Sequence, residues 1–174
     1  MRFGAVIFLI LTAGGALAQV PEPQNFHGEP YRSEVPATLS GARVVDTAEA
    51  IELHDSGVPF VDVMPRKARP EGLPDGTIWA APAHMTITGA TWLFDTGYER
   101  ISPIEEQRLA EGLAAATKGD KTAQFVIFCR RDCWMSWNAG KRAVDLGYTG
   151  VIWFPDGSDG WQEAGRDLVI ADVP

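Results

Sequence analysis

The chain contains two cysteines, and they stand four positions apart in Cys129-Arg130-Arg131-Asp132-Cys133. A thiolate is the nucleophilic form of cysteine, so the chemistry depends on what lowers the thiol pKa. Cys129 follows the apolar run Gln124-Phe125-Val126-Ile127-Phe128 and precedes a segment with helical spacing. A cysteine between a strand end and a helix N-terminus sits where backbone amides and the helix dipole favour an anion. Arg130 and Arg131 add positive charge and Asp132 opposes them, and the balance points to a lowered thiol pKa and a reactive sulfur. The spacing is C-x3-C, not the C-x2-C of thioredoxin-like proteins. A loop can still join two such sulfurs, because bonded cysteines need Cα atoms only about 6 Å apart. Cys133 can therefore attack a sulfur carried by Cys129, or the pair can form a reversible disulfide. The alternative is an inert structural bridge, which in so short a loop restrains little chain entropy. Trp134 adjoins the loop and is a candidate wall for a flat or apolar ligand. The candidate site is thus Cys129 and Cys133 as catalytic residues, with Arg130, Arg131 and Trp134 binding substrate.

Other chemistries for a cysteine in this place lack their partners. Haem attachment needs C-x-x-C-H, whereas this chain has a third spacer and Trp134 where the histidine would stand. No metal site is expected, since two cysteines and the scattered His27, His54 and His84 form no ligand-spaced set. A phosphatase loop would carry an arginine where Met135 stands, and without that guanidinium a phosphoryl group loses its bidentate clamp. The composition narrows the classes further. With 174 residues, 45% hydrophobic and 22% charged, the chain suits one ordinary globular domain and is not a disulfide scaffold. A net charge of −8 disfavours a general nucleic-acid binder, which needs a basic surface.

The elements around the loop alternate. Ala42–Val45 reads as a short strand, and Asp46 or Thr47 caps a helix through about His54. Val58–Val63 is a buried strand with an acid near its end, residues 66–76 are a loop, and Thr77–Ala80 suggests another short strand. Ser102-Pro103-Ile104-Glu105 opens a helix with a capping box and proline at the first helical position, and Lys118-Gly119-Asp120 closes it. Gln124–Phe128 is nearly all apolar, as central strands of parallel sheets are. A helix from about Met135 to Leu146 follows, then the strand Gly150–Phe154 and a short helical piece at Trp161–Ala164. Strands alternating with helices predict an α/β domain with a mainly parallel sheet.

The first 18 residues have another pattern: Arg2, an apolar run from Phe3 to Leu11, and the small-residue end Ala16-Leu17-Ala18. These are the parts of a secretory signal peptide cleaved after Ala18, with a periplasmic destination where disulfides persist. No later run is apolar enough to span a membrane. Residues 19–41, with Pro21, Pro23, Pro30 and Pro36, read as an extended arm, and residues 42–174 as the domain.

Phe60-Val61-Asp62-Val63 resembles the first core strand of rhodanese-like domains, and Cys129 after Val126-Ile127-Phe128 resembles their catalytic cysteine. Gly147-Tyr148, Val151-Ile152, Asp156-Gly157-Ser158-Asp159-Gly160-Trp161 and Ala164-Gly165 are similar, in order, to their closing pattern. The likeness runs from about Ala42 to Asp167. The segment from Cys129 to Ala139, with Tyr31-Arg32 and Trp92-Leu93, resembles more closely the rhodanese-like family named for a Cys-Cys-Trp motif and associated with PQQ-dependent alcohol catabolism. The resemblance implies a rhodanese-like three-layer fold, a mainly parallel central sheet flanked by helices. It implies a persulfide on Cys129, a small sulfur compound or protein thiol as substrate, and a quinoprotein dehydrogenase system as partner. PQQ enters by pathway only, so no bound cofactor is expected. Cys133 is an addition to the ordinary pattern, and the usual glycine and arginine of the active loop are absent. The expected chemistry is therefore persulfide transfer or thiol–disulfide exchange rather than thiosulfate:cyanide transfer. The competing function is an accessory protein, without catalysis, that holds a redox cofactor or docks on the dehydrogenase.

Overall fold

The computed structural model describes residues 20–172, so the signal-peptide expectation for residues 1–18 lies outside the described residues. Central to the fold is β5 (Phe125–Phe128), whose four residues are all buried. On one side it pairs in parallel with β6 (Val151–Phe154), and on the other with β2 (Phe60–Asp62). Parallel edges complete the sheet: β1 (Arg43–Val44) beside β6 and β4 (Thr91–Trp92) beside β2. The order β1-β6-β5-β2-β4 puts the strand before Cys129 in the middle.

Alternation along the central strands sorts side chains onto two faces. Val61, Phe125, Ile127, Val151 and Trp153 face α2 (Pro103–Thr117) and α3 (Trp134–Asp145), from which Leu109, Leu113, Trp137 and Ala143 close the layer. Phe60, Val126, Phe128, Ile152 and Phe154 face the other way. They pack on Ala50 of α1 (Thr47–Asp55) and Trp161 of α4 (Gly157–Glu163). Trp137, Trp153, Phe125 and Phe128 are all less than 2% exposed, and burying each large side chain contributes roughly 1.5–3 kcal/mol. The result is three layers, helices on both faces of a parallel sheet, as the sequence predicts.

Local chemistry explains the boundaries. Asp46 caps α1 by accepting the Glu49 N–H at 2.9 Å. Ser102 and Glu105 form the expected capping box on α2, and Lys118 in the left-handed region ends that helix. Two expectations need correction, and one sheet was not expected. Thr77–Ala80 is not a strand. The final helix starts at Gly157 rather than Trp161, because the glycine-rich turn itself is helical. A two-stranded antiparallel sheet of β3 (Met85–Ile87) and β7 (Leu168–Ile170) has no counterpart in the sequence reading, since its apolar positions are too few to show a period.

Residues 20–41 run without helix or ladder over α3, and Leu39 enters the core. Polar side chains of α3 fasten the arm. Buried Asn138 accepts the His27 N–H at 2.8 Å and donates to the carbonyls of His27 and Gly97, both at 2.9 Å. Trp137 Nε1 donates to the Thr38 carbonyl at 3.2 Å.

Candidate active site

Strand β5 delivers Cys129 to its carboxyl end, and Cys133 is the N-cap of α3. The two are joined as a disulfide, with Cα atoms 6.4 Å apart. Four residues suffice because Asp132 takes a positive φ of 53°, which folds the loop back on itself. The sharpness is supported from outside. The Ser158 N–H donates to the Cys129 carbonyl at 3.0 Å, and Arg130 bridges to Gly157. Gly157 also has positive φ, and a Cβ there would run into that same carbonyl. Ser136 of α3 donates to the Cys133 carbonyl at 3.1 Å and accepts from Trp153 Nε1 at 3.0 Å, which ties the helix start to the sheet.

The arm completes the site. Its Tyr31 carbonyl accepts the first helical N–H, that of Trp134, at 3.0 Å, and its Ser33 N–H donates to the Asp132 carbonyl at 3.2 Å. A cleft of about 310 Å³ opens between the arm and the loop, lined by Tyr31, Arg32, Met64, Tyr98, Arg130, Cys133 and Met135 among others. Cys133 faces this cleft, whereas Cys129 lies behind it with no exposed surface. Met64 Sδ approaches Cys129 Sγ to 3.0 Å from the end of β2. Burial raises the Tyr98 phenol above its ordinary pKa, with Asp95 and Tyr31 adding to the effect, so it stays a neutral wall at physiological pH.

The predicted site residues separate. Arg130 lines the cleft, and its buried Nε has no partner among the described residues. Arg131 is turned to α4: Glu163 receives its two Nη groups at 2.7 Å each, and Asp156 lies 3.4 Å from its Nε. Those hydrogen bonds, Glu163 first, raise the Arg131 pKa, and Arg131 in turn holds the Glu163 carboxyl below its ordinary value. Trp134 is 3% exposed beneath the arm, stacked on His27 at 3.8 Å, with Nε1 donating to Ser33 Oγ at 2.9 Å. Two loop amides expected to hold an anion are engaged internally. The Arg131 N–H donates to Asp159 at 3.2 Å, and the Trp134 N–H donates to Tyr31. The lowered thiol pKa expected at Cys129 belongs to the reduced state, because a bonded sulfur does not titrate.

Several cleft residues carry no signal in the local sequence. Met64 and Tyr98 reach the loop from other strands and connections, whereas Tyr31-Arg32 is marked through the family resemblance. Among the other histidines, His54 packs edge-on against Phe60 and Trp161, while His84 stacks on Trp92 and bonds buried Asp62 at 2.7 Å. No group of three His, Cys, Asp or Glu side chains suited to a metal stands together among the described residues.

No family model matches this chain, and no curated protein does. Among solved structures it is similar to a protein of unknown function from Rhodopseudomonas palustris described as a possible tyrosine phosphatase. The identity is 22%, over 75% of this chain and 86% of that one, with a TM-score of 0.42. It is also similar to the polysulfide-sulfur transferase homodimer of Wolinella succinogenes, at 18% identity over 75% and 80% of the two chains, with a TM-score of 0.45.

Proposed function

We propose that the protein is a rhodanese-like sulfur-handling enzyme in which Cys129 accepts a sulfane sulfur and Cys133 releases it. One observation carries this reading: the two sulfurs are already paired at the wall of an open cleft that Arg130 also lines. The cycle starts from the disulfide. Cys133 faces the cleft, so an external thiolate attacks its sulfur, and Cys129 leaves as thiolate. A second external thiol clears the mixed disulfide and frees Cys133, whose side chain can then rotate away from Cys129. The Cys129 thiolate attacks the outer sulfur of a polysulfide or thiosulfate, the donor's remaining part departs with the bonding pair, and a persulfide stands on Cys129. Cys133 thiolate then attacks the inner sulfur. The Cys129–Cys133 bond forms, the outer sulfur leaves as hydrosulfide, and the two electrons it gains come from the pair of cysteines. Arg130 holds the anionic donor, a charge-assisted contact that Arg131, clamped to α4, does not offer.

The finer setting belongs to the same proposal. The signal-like residues 1–18 support a periplasmic address. The likeness of residues 129–139 to the Cys-Cys-Trp proteins supports a role beside a quinoprotein dehydrogenase, with PQQ linked by pathway. The experiment is intact-mass and peptide mapping after polysulfide treatment. Cys133→Ser is expected to accumulate one extra sulfur on Cys129, while the wild type returns to the disulfide and liberates sulfide. Thiol–disulfide exchange alone would leave Cys129 of the variant without extra sulfur. The full burial of Cys129 favours one competing reading, a fixed clip in an accessory protein. A bridge that survives mild reductant would support that competitor.

A further inference from the structure

We propose that the reduced site binds one Cu(I) ion through the thiolates of Cys129 and Cys133 and the thioether of Met64. The contact that suggests it is Met64 Sδ at 3.0 Å from Cys129 Sγ, across 65 positions of sequence. Cys129 thus touches Met64 on one side and is bonded to Cys133 on the other, so segments at the end of β2, the end of β5 and the start of α3 bring three sulfurs together. Met64 is held there by its backbone. Its N–H donates to buried Asp62 Oδ1 at 2.8 Å, and its carbonyl accepts from Trp92 Nε1 at 2.7 Å. Asp62 is fixed in turn by the Thr86 hydroxyl at 2.6 Å and by His84 Nε2 at 2.7 Å. Preorganised support of this kind makes a ligand effective.

The donor set selects the ion. Thiolate and thioether are soft ligands and favour Cu(I) over harder divalent cations. A structural Zn(II) site would want four tetrahedral ligands, and among the described residues neither histidine nor carboxylate stands with these sulfurs to complete one. Met64, Met135 and Cys133 all line the same cleft, which gives the ion an entry path past further sulfur. Two thiolates and one Cu(I) leave a net charge of −1, and the Arg130 guanidinium on the cleft wall offsets it.

Binding displaces one proton from each thiol to solvent and moves no electrons. The disulfide offers no thiolate, so the site exists only after a reductant, here a phosphine, has supplied two electrons. This inference needs only the reduced cysteines and does not rest on persulfide chemistry.

The test uses the full chain, reduced with a water-soluble phosphine under anaerobic conditions and titrated against the coloured Cu(I)–bicinchoninate complex. Reduced protein is expected to withdraw one Cu(I) per chain, and oxidised protein none. X-ray absorption of the loaded wild type is expected to show sulfur ligands only, three of them. Met64→Leu, a volume-conserving change, is expected to bind at least about tenfold more weakly with two sulfur ligands, since even a lost supporting contact costs about that much. Equal withdrawal by the oxidised protein, nitrogen or oxygen ligands in the wild type, or wild-type affinity in Met64→Leu would each overturn the proposal. Persulfide formation is scored separately on metal-free protein, so either claim can fail alone.

Discussion

Two arginines adjoin Cys129, and their side chains do different things. Arg131 is bound to Glu163 and Asp156 from α4, whereas Arg130 offers its guanidinium to the cleft. Arg130→Met is therefore expected to slow persulfide formation from an anionic donor such as thiosulfate by about tenfold or more. That corresponds to the ~1.5–3 kcal/mol of a charge-assisted hydrogen bond, and the rate with a neutral organic trisulfide should change little. Stopped-time mass analysis with both donors measures the difference. At this scale the sequence was a partial guide. It marked both cysteines and both arginines, because a strand end, a short spacer and flanking charge are local features. It could not say which arginine faces the cleft, since the residues that turn Arg131 away lie 25 and 32 positions later. Trp134 was legible as a neighbour of the loop but not as a support for the arm, because its partners His27 and Ser33 lie about a hundred positions earlier. Met64 was not legible at all, since only the β2–β5 register brings it to Cys129.

The loop between β5 and α3 keeps its shape because neighbouring elements hold it. The α4 N-terminus supplies Gly157, with φ of 52° and no room for a Cβ against the Cys129 carbonyl. Gly157→Ala is expected to cost about 1–3 kcal/mol for the backbone conformation alone and to displace the loop, read as a lower Tm and slower disulfide formation. Arg131–Glu163 fixes the other side. Because the Glu163 carboxyl sits below its ordinary 4.5 in the folded chain, its stabilising effect is complete above that pH and is lost as pH falls through the depressed value. The Tm gap between wild type and Glu163→Gln should therefore be present at neutral pH and vanish in acid. Asn138 is the matching device for the arm. Its replacement by alanine strands the His27 N–H and two carbonyls, an expected loss of ~2–4 kcal/mol with earlier proteolysis near His27. The long apolar or well-capped elements, β5, β6, α2 and α3, were readable because each carries its own signal. The strands β3, β4 and β7 were not, since Met85–Ile87, Thr91–Trp92 and Leu168–Ile170 lie outside the alternation of strands and helices that marks β1 and β2.

As a whole the molecule is a three-layer α/β domain with an arm drawn across the carboxyl end of its central strand, so the site belongs to both. The mainly parallel sheet followed from alternation of strands and helices, but the arm's part in the cleft did not, because proline-rich extended chain has no period to read. Cys129 and Cys133 both belong to the main core cluster, but their bridge adds little to the stability of the fold. A bridge spanning four positions removes only about 2 kcal/mol of chain entropy. Reduction should lower Tm by roughly 4–8 °C and leave a folded, cooperative protein, as calorimetry with and without phosphine can show. That persistence is what a reversible pair requires. The central claim is that Cys129 takes up sulfur and Cys133 removes it. The most direct measurement is mass analysis of Cys129 in reduced wild type and Cys133→Ser after polysulfide treatment. The expected result is one added sulfur held on Cys129 in the variant, and disulfide with released hydrosulfide in the wild type. No added sulfur on Cys129 in either protein would contradict it.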